Sequence, residues 1–247
     1  MRIAVITDVH ANRQALEAVL EHAESQGAEH HAFLGDFVGY GADPAWVVDC
    51  IRSHVKRGAM SVMGNHDAAV AHEAGPTMRA EARASSDWTR TQLDEEQLAF
   101  LAQLPLMQQL GEALFVHANA FDPANWAYIE GKSEAVRSME ATRCRITFCG
   151  HMHDPMLYHL SMLGKSGSFV PAAGVAISLL PSRHWLVIPG AAGQPRDGNP
   201  AACYAVFDDS VAELTYWRVP YDHAAAMAAI RATTLPPSFA ERLADGR

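Results

Sequence analysis

The sequence predicts an α/β fold, on three observations. Strand and helix patterns alternate through its first 70 residues, short strands with turns dominate its last hundred, and polar metal-capable residues stand where the strands end. Arg2 to Thr7 reads as an apolar strand, and Asn12 then caps a helix that Gly27 stops. His31 to Leu34 is a second strand ending at Gly35-Asp36. Pro44 opens a helix running to about Arg57, with Gly58 beyond it. Met60 to Met63 is a third strand, ending at Gly64-Asn65-His66-Asp67. Strands alternating with helices of this length imply crossover connections and a parallel sheet covered by helices.

Pro76 to Gln103 reads as mostly helical, with Asp94 capping the second half and Pro105 a stop. Leu106 to Leu110 and Ala113 to His117 form a hairpin across Gly111-Glu112. A helix over 132–142 precedes a strand from Arg145 to Cys149, which feeds Gly150-His151-Met152-His153. Short strands at 155–160, 168–170, 175–180, 184–188, 202–207 and 211–218 read as an antiparallel meander. A helix from Asp222 to about Thr233 and a polar tail end the chain. With no internal repeat or low-complexity linker, the expectation is a single domain, 1–247, containing two sheets.

The balance of 19 basic against 28 acidic residues gives a formal charge of -9, and no Lys/Arg-rich run interrupts it. Such a surface repels polyanions, so no long nucleic acid is expected as partner. The apolar start stops at Thr7-Asp8, too short for a signal-peptide core, and no apolar run reaches membrane-spanning length. Cys50, Cys144, Cys149 and Cys203 form no CxxC pair and no disulfide framework. These features lead to the expectation of a soluble cytoplasmic protein without a membrane partner.

Asp8-Val9-His10 follows the first strand, Gly35-Asp36 the second, Gly64-Asn65-His66-Asp67 the third, and His117 and His151-Met152-His153 follow later strands. At the carboxyl ends of α/β strands, residues distant in sequence converge on one crevice. The pairs Asp8/His10 and His151/His153 are spaced i, i+2, so extended backbone would point both members to one side. Asp36 has two carboxylate oxygens with which to bridge two cations, and Asn65 offers a neutral carbonyl oxygen. Carboxylate, imidazole and amide together suit manganese, iron, zinc or nickel better than calcium or magnesium.

In this order, D-x-H, G-D, G-N-H-D, a lone His after a strand and G-H-x-H resemble the calcineurin-like metallophosphoesterases over nearly the whole chain. The resemblance implies a four-layer αββα sandwich of two mixed β-sheets flanked by helices. It implies two divalent or trivalent transition-metal ions, the first held by Asp8, His10, Asp36 and His153. The second would be held by Asp36, Asn65, His117 and His151. The activity it implies is hydrolysis of a small phosphate-ester substrate by a hydroxide that the two ions share. Asn65 and His66 would then meet the substrate, with His66 acting either as general acid or by positioning a phosphate oxygen.

Two further stretches resemble small bacterial phosphodiesterases and diadenosine-tetraphosphatase-like members: Gly35-Asp36-Phe37-Val38-Gly39-Tyr40-Gly41-Ala42-Asp43-Pro44 and Gly193-Gln194-Pro195-Arg196-Asp197-Gly198. Arg196 reads either as a turn residue or as a group facing the phosphate. Those relatives usually carry N-P-G-S before the second stretch, where this chain has Ile188-Pro189-Gly190-Ala191. They often carry H-G-S where it has His117-Ala118-Asn119. Phosphoprotein phosphatases carry G-D-x-V-D-R-G, and Gly39 and Tyr40 stand at the Asp-Arg positions here. The resemblance therefore favours a phosphodiesterase over a phosphomonoesterase or protein phosphatase. With all seven ligand positions filled, it also disfavours a non-catalytic scaffold. Remaining histidines, such as His22, His31 and His54, read as structural or exposed. The tryptophans read as core or rim rather than as a base-stacking platform, with Trp126 and Tyr128, on the loop just beyond His117, as the candidate exceptions.

Overall fold

The computed structural model describes residues 1–72 and 78–247. Two six-stranded mixed sheets face each other, with helices on both outer sides. The first runs β3 (Met60–Ser61), β2 (His30–Phe33), β1 (Arg2–Ile6), β11 (Ala202–Asp208), β12 (Glu213–Val219), β9 (Ala176–Ser178). The second runs β4 (Met107–Leu110), β5 (Ala113–Val116), β6 (Ile146–Phe148), β10 (Arg183–Ile188), β7 (Met156–Ser161), β8 (Ser166–Phe169). Parallel pairing joins β1, β2 and β3 in one sheet and β5, β6 and β10 in the other. This is the four-layer αββα sandwich that the sequence led us to expect.

Side-chain alternation along β1 builds the layers. Ile3 and Val5 point between the sheets, where they join Phe115, Phe148, Val187 and Tyr216. Ala4 and Ile6 point outward onto α1 (Arg13–Ser25) and α2 (Pro44–Lys56), against Leu16, Val19, Val48 and Ile51. On the far side, Val116, Leu186 and Ile188 pack on Ala135 and Met139 of α6 (Lys132–Glu140). On the same side as α1 and α2 lie α3 (Asn65–Ala71), α4 (Ala80–Thr91) and α5 (Glu95–Ala102), the last capped by Asp94 through Gln97. Pro76, from which a helix was expected, falls outside the described residues. No helix among the described residues is long and apolar enough to cross a membrane.

Three expectations change. The late strands are not one meander: β7, β8 and β10 join the second sheet, while β9, β11 and β12 join the first. Strand β10 even pairs parallel to β6. Alternation marks a strand but leaves its partner open, and burial between two sheets decides it. The third strand ends at Ser61, earlier than expected. The polar tail contains a helix: α7 (His223–Arg231) is followed by α8 (Pro237–Asp245), which buries Phe239, Ala240 and Leu243.

Asn12 fastens this frame around the first ligand loop. Its side-chain oxygen accepts from Ala15 N, and its amide donates to Gly193 O at 2.8 Å and Tyr221 Oη at 3.2 Å. Asn12→Ala removes a helix cap and strands a buried carbonyl, so it should lower the unfolding free energy by about 1–3 kcal/mol. An unchanged denaturation midpoint would contradict this.

Candidate metal centre

Every metal-capable residue singled out in the sequence meets at one end of the sandwich. Asp8 and His10 follow β1, Asp36 follows β2, and Asn65 opens α3 after β3. His117 follows β5, and His151 and His153 follow β6. Backbone hydrogen bonds join these loops directly: Asp8 N to Gly35 O, His10 N to Asp36 O, Gly150 N to His117 O, and Gly193 N to Asp8 O.

The expected extended backbone at the D-x-H and H-x-H pairs is absent. Asp8, His10, His151 and His153 all have φ between 48° and 70°, and so does Asp36 at 52°. The left-handed region disfavours side chains that carry a Cβ, at about 1 kcal/mol or more each. Among the described residues, every non-glycine with positive φ except Ala212 lies in or beside this cluster. The strain turns side chains that a strand would send past the crevice down into it. Gly64 allows the approach, since a Cβ there would overlap the Asp36 amide and carboxylate.

Ring nitrogens define the centre. His10 Nδ1 donates to Val38 O at 3.1 Å, His117 Nδ1 to Leu34 O at 2.7 Å, and His153 Nδ1 to Gln194 O at 2.6 Å. A nitrogen facing a carbonyl must carry the proton, so a neutral ring turns the lone pair of its Nε2 inward. His10 Nε2 and His153 Nε2 are 3.2 Å apart, and His117 Nε2 is 3.2 Å from His151 Nδ1 and from Asn65 Oδ1. Lone pairs converging this closely repel unless a cation or a proton sits among them. The donors therefore fit a metal centre.

Two buried carboxylates complete it. Asp8 receives the His151 amide at 3.0 Å and the Thr7 hydroxyl at 2.9 Å, and its Oδ1 lies 3.4 Å from His153 Nε2. Asp36 Oδ1 takes the His66 amide at 2.8 Å, which leaves Oδ2 to face the rings. Oδ2 lies 3.4 Å from His117 Nε2 and 3.7 Å from His10 Nε2, between the two nitrogen groups. Three sets, Asp8/His10/His153, His10/Asp36/His66 and Asp36/His117/His151, each have the spacing of a cation site.

The electrostatics follow from burial. Desolvation and the neighbouring Asp36 carboxylate push Asp8 up to about 7. Burial alone would push His117 down, yet Asp36 and Asp8 outweigh it and hold the imidazole at about 9. Burial opposes ionisation of Asp36 too, but the protonated His117 beside its Oδ2 outweighs that and holds the carboxyl well below the usual carboxylate range. Burial lowers His10 and His153 strongly and His151 to about 3, leaving them neutral, the form in which imidazole ligates.

His66 sits against this centre, with a ring nitrogen within 4.8 Å of the ligand atoms of His10 and Asp36. Its buried Nδ1 has no hydrogen-bond partner among the described residues and faces Gly39, where a Cβ would stand 2.6 Å away. Burial lowers the imidazole despite Asp36. Tyr40 leans over the site, 4.5 Å from the His66 ring and 4.7 Å from His10. Tyr128 stacks on His151 at 4.1 Å, and Trp126 meets His117 edge-on at 5.8 Å. Arg196 donates to Gln194 Oε1, and its charge presses on His10, His66 and His153.

Sequence reasoning passed over three supports. Asp67 accepts from the Phe37, Val38 and Gly64 amides, so it ties the second ligand loop to the third. Burial and Asp36 push its carboxyl up to about 7. Gln194 and Thr7 orient His153 and Asp8 as described. The last letter of G-N-H-D was the available signal for Asp67, whereas Gln194 acts on His153 through its main-chain carbonyl, which no residue letter marks. The two departures also find a place. Ile188 is a core residue of β10, and Asn119 is buried, donating to Ala127 O to fix the loop that carries Trp126 and Tyr128.

Residues 1–210 match the calcineurin-like phosphoesterase superfamily domain. The chain is 33% identical over 252 residues to an uncharacterised protein of Methanocaldococcus jannaschii, covering 99% of this chain and 98% of that one. It superposes on a metallophosphoesterase from Sphaerobacter thermophilus with a TM-score of 0.89 at 36% identity, covering 100% of this chain and 99% of that one. A hypothetical protein of Pyrococcus horikoshii shares the fold at 20% identity, with a TM-score of 0.79 and coverage of 100% and 98%. With the domain match spanning most of its length and a cluster of carboxylates and imidazoles at the strand ends, the chain belongs to the calcineurin-like phosphoesterase superfamily, metal-dependent hydrolases of phosphate esters.

Proposed function

We propose that the protein is a binuclear metallophosphoesterase that hydrolyses a small soluble phosphate diester. Asp8, His10, Asp36 and His153 hold one ion in this reading, and Asp36, Asn65, His117 and His151 hold the other. The observation that carries it is the place of Asp36 Oδ2, between His10 Nε2 and His117 Nε2. One carboxylate oxygen there serves both nitrogen groups. When bound, a pair of manganese, iron, zinc or nickel ions supplies Lewis acidity at phosphoryl oxygens and lowers the pKa of water from 15.7 toward ~7.

The protein's own groups orient the substrate. His66 sits against the reacting space, where as general acid it would take up a proton as the anionic ester binds and pass that proton to the leaving oxygen, returning to the neutral ring that burial favours. Arg196 contributes positive charge at the rim. Tyr40 occupies the position where a protein phosphatase places an arginine. A phenol donates one hydrogen bond and presents an aromatic face, whereas a monoester dianion is best held by a bidentate guanidinium. The formal charge of -9 also suits a small substrate better than a long polyanion.

His66→Ala should slow alkyl esters by about 10²–10⁴-fold and nitrophenyl esters much less, because a good leaving group departs without a proton. Equal losses on both would restrict His66 to holding phosphate. The reading as a whole is tested by kcat/KM for bis-nitrophenyl phosphate and nitrophenyl phosphate in the same buffer, with manganese, nickel, zinc and magnesium in turn. We expect the diester to be preferred. A clear preference for the monoester would return the protein to the phosphatase-like branch.

A further inference from the structure

Helices α7 and α8 lie beyond the residues that match the family domain, yet both touch the site. Phe239 of α8 is fully buried, and its ring meets Tyr40 at 4.9 Å and 62°. Tyr40 packs with Ala226, Ile230, Phe239 and Leu243 in one apolar cluster that contains both helices. Tyr40 has a strained φ of 65° and its amide donates to Ser85 Oγ at 2.6 Å, while its ring otherwise meets the polar rings of His10 and His66 and the Arg196 guanidinium at 6.0 Å, so the helices supply the apolar side of its packing.

The same helix reaches the loop that carries Arg196. Gly246, the residue ending α8, accepts a hydrogen bond from Gly198 N at 2.8 Å through its carbonyl. A Cβ at Gly246 would stand 2.6 Å from the Asn199 carbonyl carbon, and its φ is +66°. Only glycine lets the helix end seat itself against this loop. Asp197 is held by Arg218 of β12 and Gly198 by Gly246, so the two residues that follow Arg196 are both fixed. One hairpin therefore supports both rim groups, the aromatic face through Phe239 and the cation through Gly246.

We propose that the α7–α8 hairpin is the specificity element of this site, with Phe239 and Gly246 as positioning residues that hold Tyr40 and Arg196 against the second organic arm of a phosphate diester. The inference rests on the diesterase reading above and adds the part of the chain that sets its preference. Phe239 acts only through Tyr40. Moving Tyr40 loosens the grip on the arm, so KM for a diester rises while the ions and His66 keep their places. Glycine at position 246 acts in the same way through Arg196.

The experiment is a double-mutant cycle in the full-length, metal-loaded protein, using Phe239→Leu, Tyr40→Ala and the pair, with bis-nitrophenyl phosphate and nitrophenyl phosphate as substrates. Leucine keeps the helices packed but removes the ring that Tyr40 leans on. We expect Phe239→Leu to lower the diester-to-monoester ratio of kcat/KM about tenfold, mainly through KM. In the Tyr40→Ala background the same change should alter the ratio by less than about twofold, because contacting residues are not additive. Full additivity, or a fall in kcat on both esters with KM unchanged, would overturn the inference and leave Phe239 a core residue. A parent that prefers the monoester refutes the diesterase reading and the inference with it. A diesterase parent with additive variants refutes the inference alone. Should Phe239→Leu fail to fold, Gly246→Ala combined with Arg196→Ala provides the second cycle, with non-additivity expected and additivity overturning.

Discussion

Asp8 and Asp36 are both buried, and among the described residues neither forms an ion pair with lysine or arginine. A carboxylate without compensation in such a place costs several kcal/mol, so the surroundings must bring positive charge to it. Around this pair the chain gathers imidazoles whose outer nitrogens are committed to backbone carbonyls. Their inner nitrogens meet each other, the carboxylates and the Asn65 side-chain oxygen. Without a metal, the charge balance falls on His117, which Asp36 and Asp8 keep protonated. The arrangement is one that cations complete.

The rest of the sandwich reads as the means of holding that unfavourable cluster together. Parallel strands from two sheets end at the same edge, so residues as far apart as Asp8 and His153 share a hydrogen-bonded loop system. Left-handed backbone at the ligands is strained, and it is tolerated because the loops are tied to each other by main-chain bonds and by Asp67. Strain of this kind persists only where the surrounding structure over-determines it. The two outer helical layers, and the apolar core between the sheets, supply that rigidity.

Much of this was legible because the ligands follow strands. Asp8, Asp36, Asn65, His117 and His151 each come directly after an apolar β run, and the parallel pairing brings such ends together. The backbone at those positions was not legible: i, i+2 spacing suggests a strand, and only the loop contacts show that the turn is left-handed. The sheet membership of β7 to β12 also escaped, since period-2 alternation is the same on either sheet. Helix α8 hid behind Glu241, Arg242 and Asp245, whose charges mask the stripe of Phe239, Ala240 and Leu243. Tyr40 could be compared with a phosphatase arginine in sequence, but the ring that supports it lies 199 positions away and appears only in the fold.

If Asp36 links two cation sites, the metal content of the protein should show it. Purified protein, loaded with manganese or zinc and freed of excess ion, should hold two ions per chain by elemental analysis. Asp36→Asn keeps the shape of the side chain but removes its charge, so it should hold one ion or none and lose activity by a thousandfold or more, on the order expected when metal catalysis is removed. A single ion in the parent, or two ions and near-normal turnover in Asp36→Asn, would contradict the account.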